Sequence, residues 1–131
     1  MLVNILSSSK QVLKIDDAKG LVVPTSSGQI GIYPGHAGLV STLDIGELVV
    51  KTKENGDKKI AVSGGFISVK NDKVEILCDD AVMGDEIVLA EIEKAEKKAS
   101  EKMASKLPEK ELIELEKQLK YEKFKRKLLE V

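Results

Sequence analysis

The glycine-rich stretch GQIGIYPGHAGLV, residues 28–40, contains the only histidine of the chain, His36. A histidine can serve as a general base or as a metal ligand. Base catalysis needs a nucleophile within hydrogen-bonding distance, and the nearby Ser41 and Thr42 belong to no nucleophile motif. A zinc site needs about four ligands, usually several histidines and cysteines, and Cys78 is the only cysteine. The sequence therefore favours a loop histidine chosen for packing or for a surface contact.

Two further patterns are weak candidates for chemistry. The segment SGG at residues 63–65 lacks the spacing of a phosphate-binding loop, so turns between strands explain its glycines better. The acidic pairs Asp16-Asp17 and Asp79-Asp80 consist of adjacent residues, which point to opposite faces of a strand. We therefore expect solvated strand ends rather than an acid–base pair.

The basic run KYEKFKRK, residues 120–127, is the one strongly asymmetric charge cluster, with Glu122 as its single acid. Its cations are Lys120, Lys123, Lys125, Arg126 and Lys127. On a helix, Lys120, Lys123 and Lys127 would share one face. Two interpretations stay open: a solvated helix end whose cations complement the negative C-terminal dipole, or a patch that docks on an acidic partner surface.

The elements that position these residues change in character near residue 85, and all ten glycines lie before that point. Alternating apolar residues, as in KVEILCD, predict eight to ten short strands between residues 2 and 82. Asn55-Gly56 predicts a type I′ hairpin turn, and Asn71-Asp72 predicts a second hairpin with a weaker signal. This spacing of strands and turns is typical of a β-sandwich or barrel.

The rest of the chain predicts two helices. Apolar residues at helical spacing follow Asp85, which we predict to be the N-cap of the first helix. Pro108 suits the first position of the second helix, and the short break before it predicts an antiparallel hairpin. The domain boundaries are therefore predicted at residues 1–84 and 85–131. The hairpin's apolar stripe is narrow and rich in alanine, so we expect weak docking.

Length and composition exclude several classes of function. The chain has 131 residues, a net charge of -1 and 3% aromatic residues. It therefore lacks the positive field and the stacking surface typical of nucleic-acid binding. The single cysteine fits a reducing compartment. The apolar runs are far shorter than the roughly 20 residues that span a bilayer, so we expect no membrane insertion.

Three segments, VVPTSSGQIGIYPGHAGLVSTLDIG, IAVSGGFISV and VEILCDDAV, precede the charged two-helix tail. Together they closely resemble the epsilon subunit family of bacterial F-type ATP synthases. The resemblance implies a flattened ten-stranded β-sandwich of two five-stranded sheets, followed by an antiparallel helical hairpin. It also implies a non-catalytic subunit of the central rotor stalk that binds the gamma subunit and the c-ring and helps to couple rotation to ATP synthesis. Such a subunit is peripheral to the membrane, on the cytoplasmic face of the bacterial plasma membrane.

The same resemblance assigns roles to two sets of residues. The residues expected at the rotor interface with gamma and the c-ring are Gln29, Ile30, Tyr33, Pro34, Gly35, His36 and Ala37. The five cations of the basic run match the inhibitory region of the family. There, an extended hairpin brings basic residues to the beta and alpha subunits, near an acidic loop of beta, and opposes ATP hydrolysis.

Two departures from the family pattern matter. Some members bind ATP through an Ile/Leu-Asp-x-x-Arg-Ala motif on the first helix. The matching stretch here is IEKAEK, residues 92–97, in which Glu96 replaces the arginine. We therefore expect no nucleotide cofactor, and a nucleotide-binding sensor is the alternative function. Members of the family usually have a proline at the position of Gly38, and many have a glutamate at the position of Gln29.

Overall fold

The computed structural model describes residues 1–53 and 56–129, which form ten β-strands followed by two α-helices. The strands are β1 (Leu2–Ser7), β2 (Gln11–Ile15), β3 (Gly20–Thr25), β4 (Gly28–Ile32), β5 (Leu39–Leu43), β6 (Gly46–Lys51), β7 (Asp57–Val62), β8 (Gly65–Lys70), β9 (Lys73–Cys78) and β10 (Ala81–Met83). A short 3-10 turn (Gly84–Glu86) leads to α1 (Leu89–Met103) and α2 (Glu109–Leu129). The predicted order of a β domain and then two helices is confirmed.

The strands form two groups of five, which we call the first and the second sheet. The first sheet has the order β10-β7-β6-β3-β4, and the second has the order β5-β8-β9-β1-β2. The two are joined through the single residue pair Thr25 and Leu43. The β1–β9 pairing is parallel, and the other pairings among the described strands are antiparallel.

One hydrophobic core fills the space between the sheets. Ile5 and Ile67 from the second sheet, and Leu48 and Ile60 from the first, belong to the same cluster of fully buried residues. Because side chains alternate along a strand, strands such as β1, β6 and β9 contribute every second residue to this core. The sequence's period of two thus produces the predicted flattened sandwich, which is confirmed.

Cys78 shows the chemical consequence of this burial. Its thiol faces the core at the end of β9 and is 7% exposed. Burial, supported by the charges of Asp79 and Asp80, raises the pKa of Cys78 to about 11. The thiol therefore stays protonated at neutral pH, because the charged thiolate is poorly solvated there.

One of the two predicted hairpin turns lies wholly within the described residues, and the structure contains it. Asn71 and Asp72 have φ angles of 52° and 58°, the pair of positive values that a type I′ turn requires. The turn predicted between β8 and β9 is therefore confirmed. Strands β6 and β7 do form an antiparallel pair, but Asn55, predicted in their turn, lies outside the described residues.

The start of the helical region differs from the prediction. Asp85 is not an N-cap but lies in the 3-10 turn, and α1 begins four residues later with Val88 as its N-cap. Val88 offers no side-chain hydrogen bond to the helix. Ile87 accounts for the shift, because it is extended and packs, partly buried, against the cluster of Ala61, Tyr121 and Leu128. Burial of an apolar residue here outweighs the local capping preference of Asp85.

The second helix begins directly after Pro108. The carbonyl oxygen of Pro108 accepts hydrogen bonds from the backbone of Glu111 and Leu112, at 3.0 and 3.1 Å. The proline thus precedes the first helical residue, one position before the predicted place. The two helices pack against each other as a hairpin across the connection at residues 104–108. In the described part of the chain, neither helix has the length and hydropathy needed to cross a bilayer.

Candidate interaction surfaces

The glycine-rich stretch that contains His36 forms β4 and a tight loop at one end of the sandwich. The backbone N–H of His36 donates to the carbonyl of Tyr33 at 3.0 Å, which closes a turn over Pro34 and Gly35. Gly35 has a φ of +86°, a value that glycine adopts without strain. Its N–H donates to Oδ1 of Asp72 at 2.6 Å, so the loop is tied to the turn between β8 and β9.

Tyr33 is fixed by the two glycines beneath its ring. A Cβ atom on Gly20 would lie 2.7 Å from the ring, and one on Gly31 would lie 3.0 Å from it. Nζ of Lys51, whose residue is the cross-strand partner of Gly20, lies 5.4 Å from the ring centroid and 3.3 Å from the hydroxyl. The glycines therefore allow a close backbone approach that holds a half-exposed aromatic side chain in place.

His36 has no chemical partner beyond its own loop among the residues that the structure describes. Its side chain is exposed, and Nδ1 lies 2.7 Å from the carbonyl oxygen of Ala37. Among residues 1–53 and 56–129, no three histidines, cysteines or acids come together in a way that could hold a metal ion. The geometry supports a surface contact at His36.

Gln29 and Ile30, the other residues of the predicted interface, lie in β4 and not in the loop. Gln29 is exposed opposite Pro24, while Ile30 packs against the core opposite Val23. The predicted set thus splits into an exposed loop at residues 33–37 and a strand that supports it.

An exposed apolar surface on the second sheet was not predicted. Val40, Phe66 and Leu77 are 78%, 59% and 53% exposed, and we call them the apolar sheet patch. Phe66 and Leu77 are direct cross-strand partners, and Val40 lies on the neighbouring strand β5. The sequence does carry the signal, because alternation places Phe66 and Leu77 on the face opposite the core, where polar residues are usual.

The helical hairpin covers the outer face of the first sheet. Tyr121 and Leu128 of α2 are 6% and 8% exposed, and they bury Ala61 of β7 in a cluster separate from the main core. Burial, together with the charge of the nearby Asp80, strongly raises the pKa of the Tyr121 hydroxyl. This cluster contains far fewer buried residues than the main core, which fits the expected weak docking.

Glu122 lies within the same contact between hairpin and sheet and is 5% exposed. Its Oε1 accepts a hydrogen bond from Nζ of Lys125 at 3.2 Å. The Lys125 ammonium also lies 4.4 Å from the centre of the Tyr121 ring. A buried carboxylate and a partly buried cation therefore form an ion pair in the second half of α2.

Two other cations of the basic run also lie next to carboxylates. Nζ of Lys120 is 3.7 Å from Asp44, which precedes β6, and a guanidinium nitrogen of Arg126 is 2.6 Å from Glu96 on α1. The remaining two, Lys123 and Lys127, are exposed. Together with Phe124, the cations other than Lys125 border an open groove of about 530 Å³. The structure brings the predicted residues onto one helix but gives them different electrostatic surroundings.

Comparison with known proteins places these surfaces in a family context. A family model described as "ATP synthase, Delta/Epsilon chain, beta-sandwich domain" matches residues 1–84. A protein named ATP synthase epsilon chain from Desulfitobacterium hafniense is 43% identical over 86 residues, covering 65% of this chain and 63% of the relative. A relative of the same name from Leptospira borgpetersenii is 43% identical over 94 residues, which cover 66% of this chain and 73% of the relative. The chain thus spans less than two thirds of the length of the Desulfitobacterium relative.

Solved structures extend the likeness to the helices. A chain in the Euglena gracilis mitochondrial ATP synthase, a structure of OSCP, F1 and the c-ring, aligns with a TM-score of 0.80 and 25% identity. That alignment covers 98% of this chain and 81% of the other. A chain from the central stalk and c-ring of the Tetrahymena thermophila mitochondrial ATP synthase aligns with a TM-score of 0.53 and 22% identity. The alignment covers 66% of this chain and 68% of the other, and it supports the fold.

Proposed function

The chain belongs to the ATP synthase delta/epsilon family, and from this premise we propose that it is a non-catalytic subunit of the enzyme's central rotor stalk. In this role it binds the gamma subunit and the c-ring and helps to couple ion-driven rotation to ATP synthesis. The observation that carries the proposal is the family match over residues 1–84, joined to a structural likeness that continues through the hairpin. The proposed location is the cytoplasmic face of the bacterial plasma membrane, as a peripheral part of F1.

We assign the gamma contact to the apolar sheet patch. Adjacent exposed apolar residues on a folded surface mark protein contacts, and aromatic side chains contribute most to such contacts. Phe66 is the natural anchor because it pairs directly with Leu77, and its strand β8 lies between the strands that carry Leu77 and Val40. The hairpin packs on the first sheet, so the patch stays accessible while the hairpin is docked.

We assign the c-ring contact to the loop at residues 33–37. This loop is tied to the turn at Asp72, whereas Phe66 lies near the other end of β8. Five or six residues of strand separate Phe66 from the Asp72 turn by roughly 16–20 Å, so the loop and the Phe66 end of the patch suit two different partners. In this proposal His36 contributes shape and hydrogen bonding to the contact, with Tyr33 as the rigid support beside it.

Replacing Phe66 with aspartate is expected to weaken gamma binding about 100-fold or more, because a charge would be buried at the centre of the contact. The fold should tolerate the change, since Phe66 is 59% exposed. Isothermal titration of purified gamma with each variant measures the effect. Val88→Asp is the matched control, because Val88 is 48% exposed outside the patch. If the two variants bound gamma with equal affinity, Phe66 would not be part of the gamma contact.

We propose that the basic run of α2 is the inhibitory surface, with the beta and alpha subunits as its partners in the inhibited state. Lys123 and Lys127 are exposed on the outer side of the docked helix, which supports a contact with an acidic protein surface. The proposal includes no nucleotide cofactor. Glu96, at the position of the family's arginine, lies beside Arg126 and places a carboxylate where a phosphate group would need a cation.

A further inference from the structure

Three of the five cations in the basic run contact carboxylates of the same chain. The pairs are Lys120 with Asp44 at 3.7 Å, Lys125 with Glu122 at 3.2 Å, and Arg126 with Glu96 at 2.6 Å. The carboxylates belong to three different places: the connection before β6, α2 itself, and α1. A movement of the hairpin would therefore affect the three pairs differently.

The pair on α2 does not depend on where the helix lies. Lys125 and Glu122 are three residues apart on one helix, so they remain neighbours wherever α2 moves. Lys120 loses Asp44 as soon as α2 leaves the sandwich, and Arg126 loses Glu96 when α2 separates from α1. Movement of the hairpin thus separates two cations from these carboxylates in two distinguishable steps.

We propose that Asp44 and Glu96 mask Lys120 and Arg126 in the docked hairpin, so that an acidic protein surface must compete with the chain's own carboxylates for these cations. This inference rests on the proposed function of the basic run and adds its regulation. Lys123 and Lys127 are exposed in the docked state and make the first contact with the acidic surface. Separation of Lys120 from Asp44, and then of Arg126 from Glu96, strengthens the contact as the hairpin undocks and opens.

The exposure of the two masking pairs suits such a competition. Side-chain exposure is 49% and 51% for Lys120 and Asp44, and 40% and 35% for Arg126 and Glu96. Ion pairs this exposed are weak and are screened by salt. An acidic group of another protein can therefore displace the internal carboxylate. The masking lowers the affinity of the basic run for an acidic surface by a moderate factor without blocking the contact.

The test compares two full-length variants with the same change in charge. Asp44→Asn with Glu96→Gln removes both masks, and the introduced amide keeps an oxygen that can accept the Ile45 N–H, as the carboxylate does. Glu93→Gln with Glu101→Gln is the control, since both of these carboxylates are exposed on α1. The probe is fluorescently labelled poly-L-glutamate. The unmasked variant should bind it about three- to tenfold more tightly than the control at low salt, and equally near ~0.5 M salt.

A second measurement reports on the hairpin itself. Amide hydrogen exchange in α2 of the unmasked variant should be about two- to fivefold faster than in the control, because two ties to the docked helix are lost. Equal probe binding by the two variants, or a difference that persists at high salt, would overturn the masking. Because the isolated chain is used, such a failure would leave gamma binding and the stalk assignment unaffected.

Discussion

Gly65→Ala is expected to destabilise the sandwich by about 4 kcal/mol or more, or to prevent folding. Gly65 has a φ of +155°, and an added Cβ atom would overlap the carbonyl oxygen of Leu77 and lie 2.9 Å from Cα of Cys78. Gly65 also pairs with both β5 and β9, so neither neighbour can move away without breaking the second sheet. Chemical denaturation followed by circular dichroism measures the loss.

Gly38→Ala is the matched control for this substitution. An added Cβ atom there would meet the carbonyl oxygen of Val69 at 3.6 Å, an ordinary van der Waals distance. We expect a change within about 0.5 kcal/mol. If Gly65→Ala unfolded at the same denaturant concentration as Gly38→Ala, the described pairing around the start of β8 would be wrong.

Removing residues from Pro108 onward is expected to raise ATP hydrolysis by the assembled enzyme severalfold. The truncation deletes α2 with the whole basic run, so the proposed contact with the beta and alpha subunits is lost. Binding of the sandwich to gamma should persist, because the apolar sheet patch lies on the second sheet and the hairpin packs on the first. Steady-state hydrolysis by reconstituted enzyme measures the change.

Truncation also exposes Ala61, which α2 normally buries. A second variant therefore distinguishes the effect of losing the positive charges from the effect of losing this apolar contact. The combination of Lys120→Gln, Lys123→Gln and Lys127→Gln retains α2 with the apolar side chains that cover Ala61, and removes three cations of the basic run. Its matched control is Lys94→Gln, Lys97→Gln and Lys98→Gln, exposed lysines of α1. Hydrolysis should rise only with the α2 substitutions; unchanged hydrolysis in both the truncated and the α2-substituted enzymes would show that this tail is not inhibitory.

Local patterns predicted the sandwich because a strand with one buried face shows alternating apolar and polar residues in the sequence. Val74 and Ile76 alternate with Glu75, and the structure buries the first two completely and exposes the third. The turn at Asn71-Asp72 was equally local, since these residue types tolerate positive φ angles. The failure at Asp85 shows the limit, because Ile87 is held by residues distant in sequence.

The functional surfaces were harder to predict because they depend on contacts between distant segments. The glycines around His36 predicted a turn, but only the fold shows that Gly20 and Gly31 make room for the Tyr33 ring. The pairing of Arg126 with Glu96 depends on how α1 and α2 are placed relative to each other, which hydrophobic spacing alone does not determine. Phe66 is the exception, because alternation along β8 alone places this apolar residue on the solvent-facing side of the sheet.

The most direct test of the rotor-stalk assignment is the binding of the purified chain to the gamma subunit from the same organism. Size-exclusion chromatography with light scattering reports the mass of the complex, and titration calorimetry reports its affinity. We predict a complex of one chain with one gamma subunit, formed equally by the full chain and by the form truncated before Pro108. If both forms eluted separately from gamma and gave no binding heat, the central assignment would be contradicted.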